Sequence, residues 1–212
     1  FQALYTLNGG VSNAALGHNA LFNGTTCDNN TAVGKSAMEN ITSGSKNVAV
    51  GTNALDAATT ADDNTAVGYE ALGANTSGTD NVAVGQAALD ANTEGDLNTA
   101  IGSFALSTAT TADNNTGIGY SALFLLTTGN NNTAVGRASG QSITTAVQNT
   151  LVGAESGDAI TTGGNNTFVG YECGGSLTTG GDNVAMGRAA FLDNSTGSAC
   201  VAIGVEAMEN GT

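Results

Sequence analysis

At 212 residues and 40% apolar the chain can bury a core, yet it has only 10% charged residues, 5% aromatics, no Pro and no Trp. An ordinary globular domain carries about 25% charged residues and about 5% proline. Four Lys and Arg against 18 Asp and Glu give a net charge of −14, which argues against a nucleic-acid partner, because phosphate binding needs a basic face.

The chain is a tandem array. Asn64–Asp80 reads NTAVGYEALGANTSGTD, followed by NVAVGQAALDANTEGDL and NTAIGSFALSTATTADN. Glycine recurs without a slip at 17, 34, 51, 68, 85, 102, 119, 136, 153, 170, 187 and 204. Asparagine stands four residues before each of these glycines from Asn13 to Asn183, and Cys200 takes its place in the last repeat. Residues 1-212 therefore form one continuous repeat array, with 17-residue repeats starting at 13, 30, 47, 64, 81, 98, 115, 132, 149, 166, 183 and 200. Phe1-Gln2-Ala3-Leu4 matches Tyr69-Glu70-Ala71-Leu72, so the chain opens inside a repeat, and at Thr212 it stops inside one. Terminal repeats of a solenoid need atypical capping sequences, and their absence here predicts a segment of a longer polypeptide. The apolar register is too regular for a disordered chain. No apolar run reaches the ~18–20 residues of a membrane span, Leu123–Leu126 being far too short, so no membrane insertion by this segment is expected.

Counting from the asparagine as position 0, position 1 is Thr or Val in eleven repeats, and position 3 is apolar in all twelve, from Leu16 to Ile203. Residues two apart share a face of a strand, and β-branched residues favour strands. Positions 1 and 3 are thus expected in the core, with Val84→Asp severely destabilising. Position 2, usually Ala, is expected to face outward against another surface. The glycine at position 4 predicts a corner with φ > 0. Position 7 is always small, and position 8 is Leu, Met or Phe in nine repeats, a second inward anchor on a second short strand. Thr or Ser follows at position 12, then Gly or Ala at 14 and frequent Asp and Asn at 15 and 16, which is turn chemistry.

Seventeen residues cannot hold a helix pair, and Gly, Thr and Asn are poor helix formers. The expected fold is all-β, a parallel β-solenoid or β-roll of twelve coils stacked ~4.8 Å apart. Asparagines at position 0 would stack into an amide ladder. In the repeats starting at Asn132, Asn149 and Asn166, position 8 becomes Gly140, Gly157 and Gly174, while position 11 becomes Ile143, Ile160 and Leu177. Leu151 and Phe168 replace the small residue at position 2, which predicts a section of changed cross-section.

The NTAVG and NVAVG strands, their glycine corner and the following Ala-Leu pair resemble the head repeats of trimeric autotransporter adhesins, the YadA-type β-roll. Similar repeats occur in phage tail fibres and other virion appendages. The resemblance spans the chain and implies a left-handed roll of three chains around one axis, serving as a rigid stalk or head. This chain departs from it in length, with 17 residues per coil against the shorter repeats of the best-known heads. The expected function is a structural, extracellular trimeric fibre segment for attachment, as in a phage tail fibre or virion appendage. The alternative is a bacterial adhesin head that binds a host or surface ligand. Expected partners are the chain itself, as a homotrimer, and a host-surface receptor or glycan. The expected trimer seam is the Ala column at position 2 (Ala32, Ala49, Ala66, Ala83, Ala100), with the small residues at position 7 as a second strip. Ala66→Glu with Ala100→Glu would break it. Positions 5, 6 and 9, which carry scattered Tyr, Phe, Glu and Arg, are expected on the outer faces without a clustered pocket.

Nothing suggests an enzyme. The single histidine, His18, falls at variable position 5, a solvent-facing slot, and a nucleophile oriented by a base needs partners this chain lacks. No catalytic, cofactor-binding or metal-binding residue is predicted, and no cofactor. Cys27, Cys173 and Cys200 occupy unrelated positions as packed substitutions, and Cys173 and Cys200 are expected too far apart for an easy disulfide. Two weaker readings remain. Asp28-Asn29, Asp62-Asp63, Asp113-Asn114 and Asn130-Asn131 supply oxygens of the kind Ca²⁺ accepts, although the glycine-rich nonapeptide pattern is missing. Threonine columns at positions 12 and 13 suggest an ice-binding face, although strand neighbours point to opposite sides.

Overall fold

The computed structural model describes residues 2–208. Phe1 and Thr212, on which the reading of an array cut within repeats rests, lie outside the described residues. Each repeat forms one three-residue strand at positions 1 to 3. These are β1 (Ala14–Leu16), β2 (Thr31–Val33), β3 (Val48–Val50), β4 (Thr65–Val67), β5 (Val82–Val84), β6 (Thr99–Ile101), β7 (Thr116–Ile118), β8 (Thr133–Val135), β9 (Thr150–Val152), β10 (Thr167–Val169), β11 (Val184–Met186) and β12 (Val201–Ile203). They make a single parallel sheet in sequence order. Every residue pairs with its counterpart one repeat on, as Ala66 does with Ala83 and Ala83 with Ala100. The chain is a parallel β-solenoid with one coil per repeat, roughly 50 Å long at ~4.8 Å per coil. Coil-to-coil hydrogen bonds continue around the circumference: Leu55 N–H donates to Ala71 O (3.0 Å), Thr59 N–H to Thr76 O (3.0 Å) and Asp63 N–H to Ser45 O (3.0 Å).

The two faces of the strand are the reverse of the sequence expectation. Position 2 is the core: Ala32, Ala49, Ala66, Ala83 and Ala100 are fully buried. Position 3 lies outside, half-buried at Val67 and Val84 and exposed at Val50, Ile101, Val152 and Met186. The cause is the width of the coil interior. Position 8 of the neighbouring coil already fills the space behind the strand. A Cβ on Gly117, which replaces Ala at position 2, would lie 3.2 Å from Leu106 Cγ and 3.3 Å from Ala122 O. Only a small residue fits there, so the β-branched residues go outward. Position 7 is also core rather than seam, buried from Ala20 through Ala190.

The second strand does not form; turns occupy its place. Residues at position 6 (Glu70, φ 55°; Ser121, φ 54°) and at position 8 (Leu72, φ 52°; Leu123, φ 53°) are left-handed, so the chain curls and buries positions 7 and 8 together. Each non-glycine residue in that region costs about 1–3 kcal/mol. Fully burying a leucine returns about 1.5–3 kcal/mol, so burying positions 7 and 8 offsets much of that strain. A third left-handed residue falls at position 16, where Asn and Asp tolerate it (Asn29, Asp63, Asn114, Asn131).

The position-4 glycine does turn the corner, with φ between +126° at Gly204 and +146° at Gly17, Gly51 and Gly170. Its missing side chain also admits the next coil, since a Cβ on Gly85 would stand 2.6 Å from the carbonyl carbon of Gly102.

The asparagine ladder runs unbroken from Asn13 to Asn183. Asn98 is one rung: its backbone N–H (2.9 Å) and its amide (3.1 Å) donate to Asn81 Oδ1, and the same amide donates to Ala112 O (2.7 Å). Asn98 Oδ1 accepts in turn from Asn115 N–H (3.0 Å). At the end of the ladder Cys200 donates its backbone N–H to Asn183 Oδ1 (3.0 Å) but has no amide to pass on. Every buried side-chain nitrogen and oxygen of the described residues has a partner, as a core with a polar column requires.

The changed section from Asn132 to Asn183 is a packing exchange. A Cβ on Gly157 would lie 2.9 Å from Leu151 Cδ2 and 2.9 Å from Ile160 Cδ1. The space vacated at position 8 is filled from position 2 and from position 11, and Leu151, Ile160 and Leu177 are fully buried.

Candidate functional site

Two surfaces distinguish themselves from the rest of the coil, and both follow from the repeat. The first is the outer strand face. Positions 1 and 3 alternate out of every strand, and across all twelve coils positions 1 to 3 contain no charged residue, in a chain of net charge −14. Exposed apolar side chains persist there, including Val50, Ile101, Val152, Val184 and Met186. The face measures roughly 50 by 10 Å at strand dimensions; position 1 is Thr in seven of the twelve coils, so its continuous apolar part is the column at position 3.

The second surface lies past the glycine corner, where positions 5, 6 and 9 of successive coils come together. The sequence reading expected no clustered pocket there; the structure forms cavities there, lined by residues at these positions. Residues scattered at 17-residue offsets become neighbours once the coils stack.

One cavity, of about 400 Å³, is bordered by Asn53, Asp56, Glu70, Gly73 and Asp90. It opens because Gly73 has no side chain: a Cβ there would lie 2.8 Å from Asp90 Oδ1 and 3.8 Å from Asp56 Oδ1. Burial raises the carboxyl pKa of both Asp56 and Asp90 above the ordinary value, and Glu39 and Asp90 add repulsion at Asp56, as Glu70 does at Asp90. Among the described residues no group of three His, Cys, Asp or Glu is arranged to hold a metal ion.

The other cavity, of about 260 Å³, is lined by Phe104, Tyr120, Ser121, Phe124 and Gln141. Phe104 follows β6; Tyr120, Ser121 and Phe124 follow β7; and Gln141 follows β8. Phe104 and Tyr120 meet edge to face, with ring centroids 6.1 Å apart at 87°, a favoured aromatic geometry. Phe124 is held from behind, its carbonyl accepting the Thr108 hydroxyl at 2.7 Å.

The residues weighed from sequence lie elsewhere. His18 is exposed at the first full coil. Cys27 and Cys173 are buried free thiols and Cys200 is a partly exposed one; burial pushes the Cys173 thiol up to about 11. The acidic turns serve the backbone: Asp28 Oδ1 accepts Val11 N–H (2.7 Å), Asp62 Oδ1 accepts Ser45 N–H (2.6 Å) and Asp113 Oδ1 accepts Asp96 N–H (2.8 Å). At position 12 the threonine hydroxyls from Thr25 to Thr178 donate to the next coil, Thr76 to Thr93 O at 2.9 Å and Thr127 to Thr144 O at 3.0 Å. Those hydroxyls form a ladder parallel to the asparagines. No helix among the described residues is long and apolar enough to cross a membrane. No protein-family model, curated protein or solved structure matches the chain.

Proposed function

We propose that this segment is a structural element of an extracellular homotrimeric attachment fibre, carried on a virion in the manner of a phage tail fibre. The observation that carries this reading is the uncharged outer strand face. Three copies triple a net charge of −14, so they repel one another everywhere except along a face free of charge. Apolar residues held on that face through twelve coils leave it a seam rather than a solvated surface. Closed cyclic symmetry satisfies such a strip without sideways polymerisation, and the resemblance of the repeats to trimeric heads supports three as the number. The seam is positions 1 and 3, in place of the buried alanines at position 2. The bacterial adhesin head is the alternative setting for the same assembly.

Sedimentation equilibrium at moderate salt tests the proposal. The unmodified segment is expected to be a trimer, and Val67→Asp with Val84→Asp, both on the outer face, a folded monomer with the same β-sheet signal. A stably folded monomer of the unmodified segment would overturn it.

A further inference from the structure

The aromatic cavity has a chemistry of its own. Its five lining residues carry no charge, although the chain has 18 acidic residues and other coils place them at the same positions, as Glu70 at position 6 and Asp90 at position 9. It gathers three of the chain's aromatic residues, which number 6 Phe and 4 Tyr in total. Tyr120 is 57% exposed and presents its ring to solvent instead of packing inward.

Two polar side chains beside these rings are not bonded by any other protein group among the described residues. Ser121 is only 5% exposed, yet among the described residues its hydroxyl has no hydrogen-bond partner, and no unpartnered polar atom of the core is sealed from solvent. The hydroxyl therefore reaches the open space of the cavity. Gln141 is half-buried; its backbone is used, its carbonyl accepting Leu125 N–H at 3.0 Å, but its side-chain amide has no partner among the described residues. A buried hydroxyl and a free amide beside an aromatic plate form a site whose hydrogen bonds are left for a ligand.

From this we infer that the Phe104–Tyr120–Phe124 cavity binds one neutral pyranose ring of a saccharide. A pyranose has one face of C–H groups and a rim of hydroxyls. The C–H face lies against the Tyr120 ring, and the rim exchanges hydrogen bonds with the Gln141 amide, which both donates and accepts, and with the Ser121 hydroxyl. A charged ligand would find no counter-charge in the lining. At about 260 Å³ the cavity falls below the ~300–1,000 Å³ of sites for drug-sized molecules, a size suited to one ring. The site does not depend on the fibre proposal, because all its residues come from three adjacent coils of one chain.

Saturation-transfer NMR on the full segment tests it, with the methyl glycosides of glucose, galactose, mannose and N-acetylglucosamine as probes and a methyl sialoside as the charged control. At least one neutral glycoside is expected to receive saturation, strongest on its axial C–H protons, with a dissociation constant on the order of 1 mM. Tyr120→Ala is expected to weaken this at least tenfold and Gln141→Ala severalfold. Tyr69→Ala, the same position three coils earlier, should leave it unchanged. Tyr120 is exposed, so an unaltered sheet signal in its variant separates loss of binding from loss of fold. Transfer to none of the neutral probes, transfer to the sialoside alone, or transfer undiminished in Tyr120→Ala would each overturn the inference. Dissociation of an oligomer by Tyr120→Ala would also overturn it, by assigning the cavity to a contact between copies.

Discussion

Phe168 occupies the space that a side chain on Gly174 would need: a Cβ there would stand 2.8 Å from the ring's Cζ. In the nine repeats with Leu, Met or Phe at position 8, position 2 is small; here, as at Leu151 and Gly157, the pair is inverted. Gly174→Leu restores the commoner residue at position 8 but overpacks the coil, so it should destabilise by about 1–3 kcal/mol or more. Adding Phe168→Ala should recover most of that loss. Urea unfolding of the two single variants and the double variant reads the coupling; additive effects would show that the two residues do not share one space.

Ala83 and Val84 are adjacent and face opposite ways. Ala83 is fully buried, so Ala83→Asp places an unpaired charge in the core and should abolish folding or cost more than about 4 kcal/mol. Val84→Asp should change the stability of a single chain by less than about 1 kcal/mol. Thermal melts followed by circular dichroism, at concentrations low enough to hold the chain monomeric, compare them. Equal losses would mean that the strand faces are misassigned.

The asparagine ladder should be cooperative. Asn98→Ala removes the amide that satisfies Ala112 O and the oxygen that accepts from Asn115 N–H. Two buried backbone groups are left without partners, at about 1–3 kcal/mol each. A loss of about 2–4 kcal/mol in denaturant unfolding is expected, with amide exchange accelerated first in the coils flanking Asn98. Uniform acceleration along the whole array would argue against a local rung.

Acidification should stabilise the fold through three carboxyls. Asp56, Asp90 and Asp158 have folded-state pKa values raised above 3.8, first by burial, then by neighbouring carboxylates such as Glu39, Glu70 and Glu155. A group whose pKa is raised on folding contributes stability that is complete below its unfolded pKa and lost as pH rises through its folded one. Tm should therefore rise as pH falls from neutral through the carboxylate range. Asp56→Asn with Asp90→Asn should raise Tm at pH 7 and flatten that rise. Parallel pH profiles for the variant and the unmodified chain would remove these groups as the cause.

The period of the array, one coil per repeat, the glycine corner and the asparagine ladder were all legible in the sequence. Each depends only on residues one repeat apart falling into register, and an unbroken 17-residue spacing guarantees that for any stacked fold. What the sequence could not determine was which face of the strand looks inward. Alternation separates positions 1 and 3 from position 2, but the choice between them depends on what lies behind the strand. The tertiary structure settles it through Leu106 and its equivalents at position 8, which leave room for Ala100 or Gly117 and not for Val or Ile. The second strand failed for a related reason: burying Ala71 and Leu72 side by side requires left-handed backbone at Glu70 and Leu72, a conformation that leucine does not advertise. The aromatic cavity is likewise a product of stacking. Phe104, Tyr120 and Gln141 sit at three different repeat positions in three different coils and meet only because the coils rise by one strand spacing while turning a full circuit.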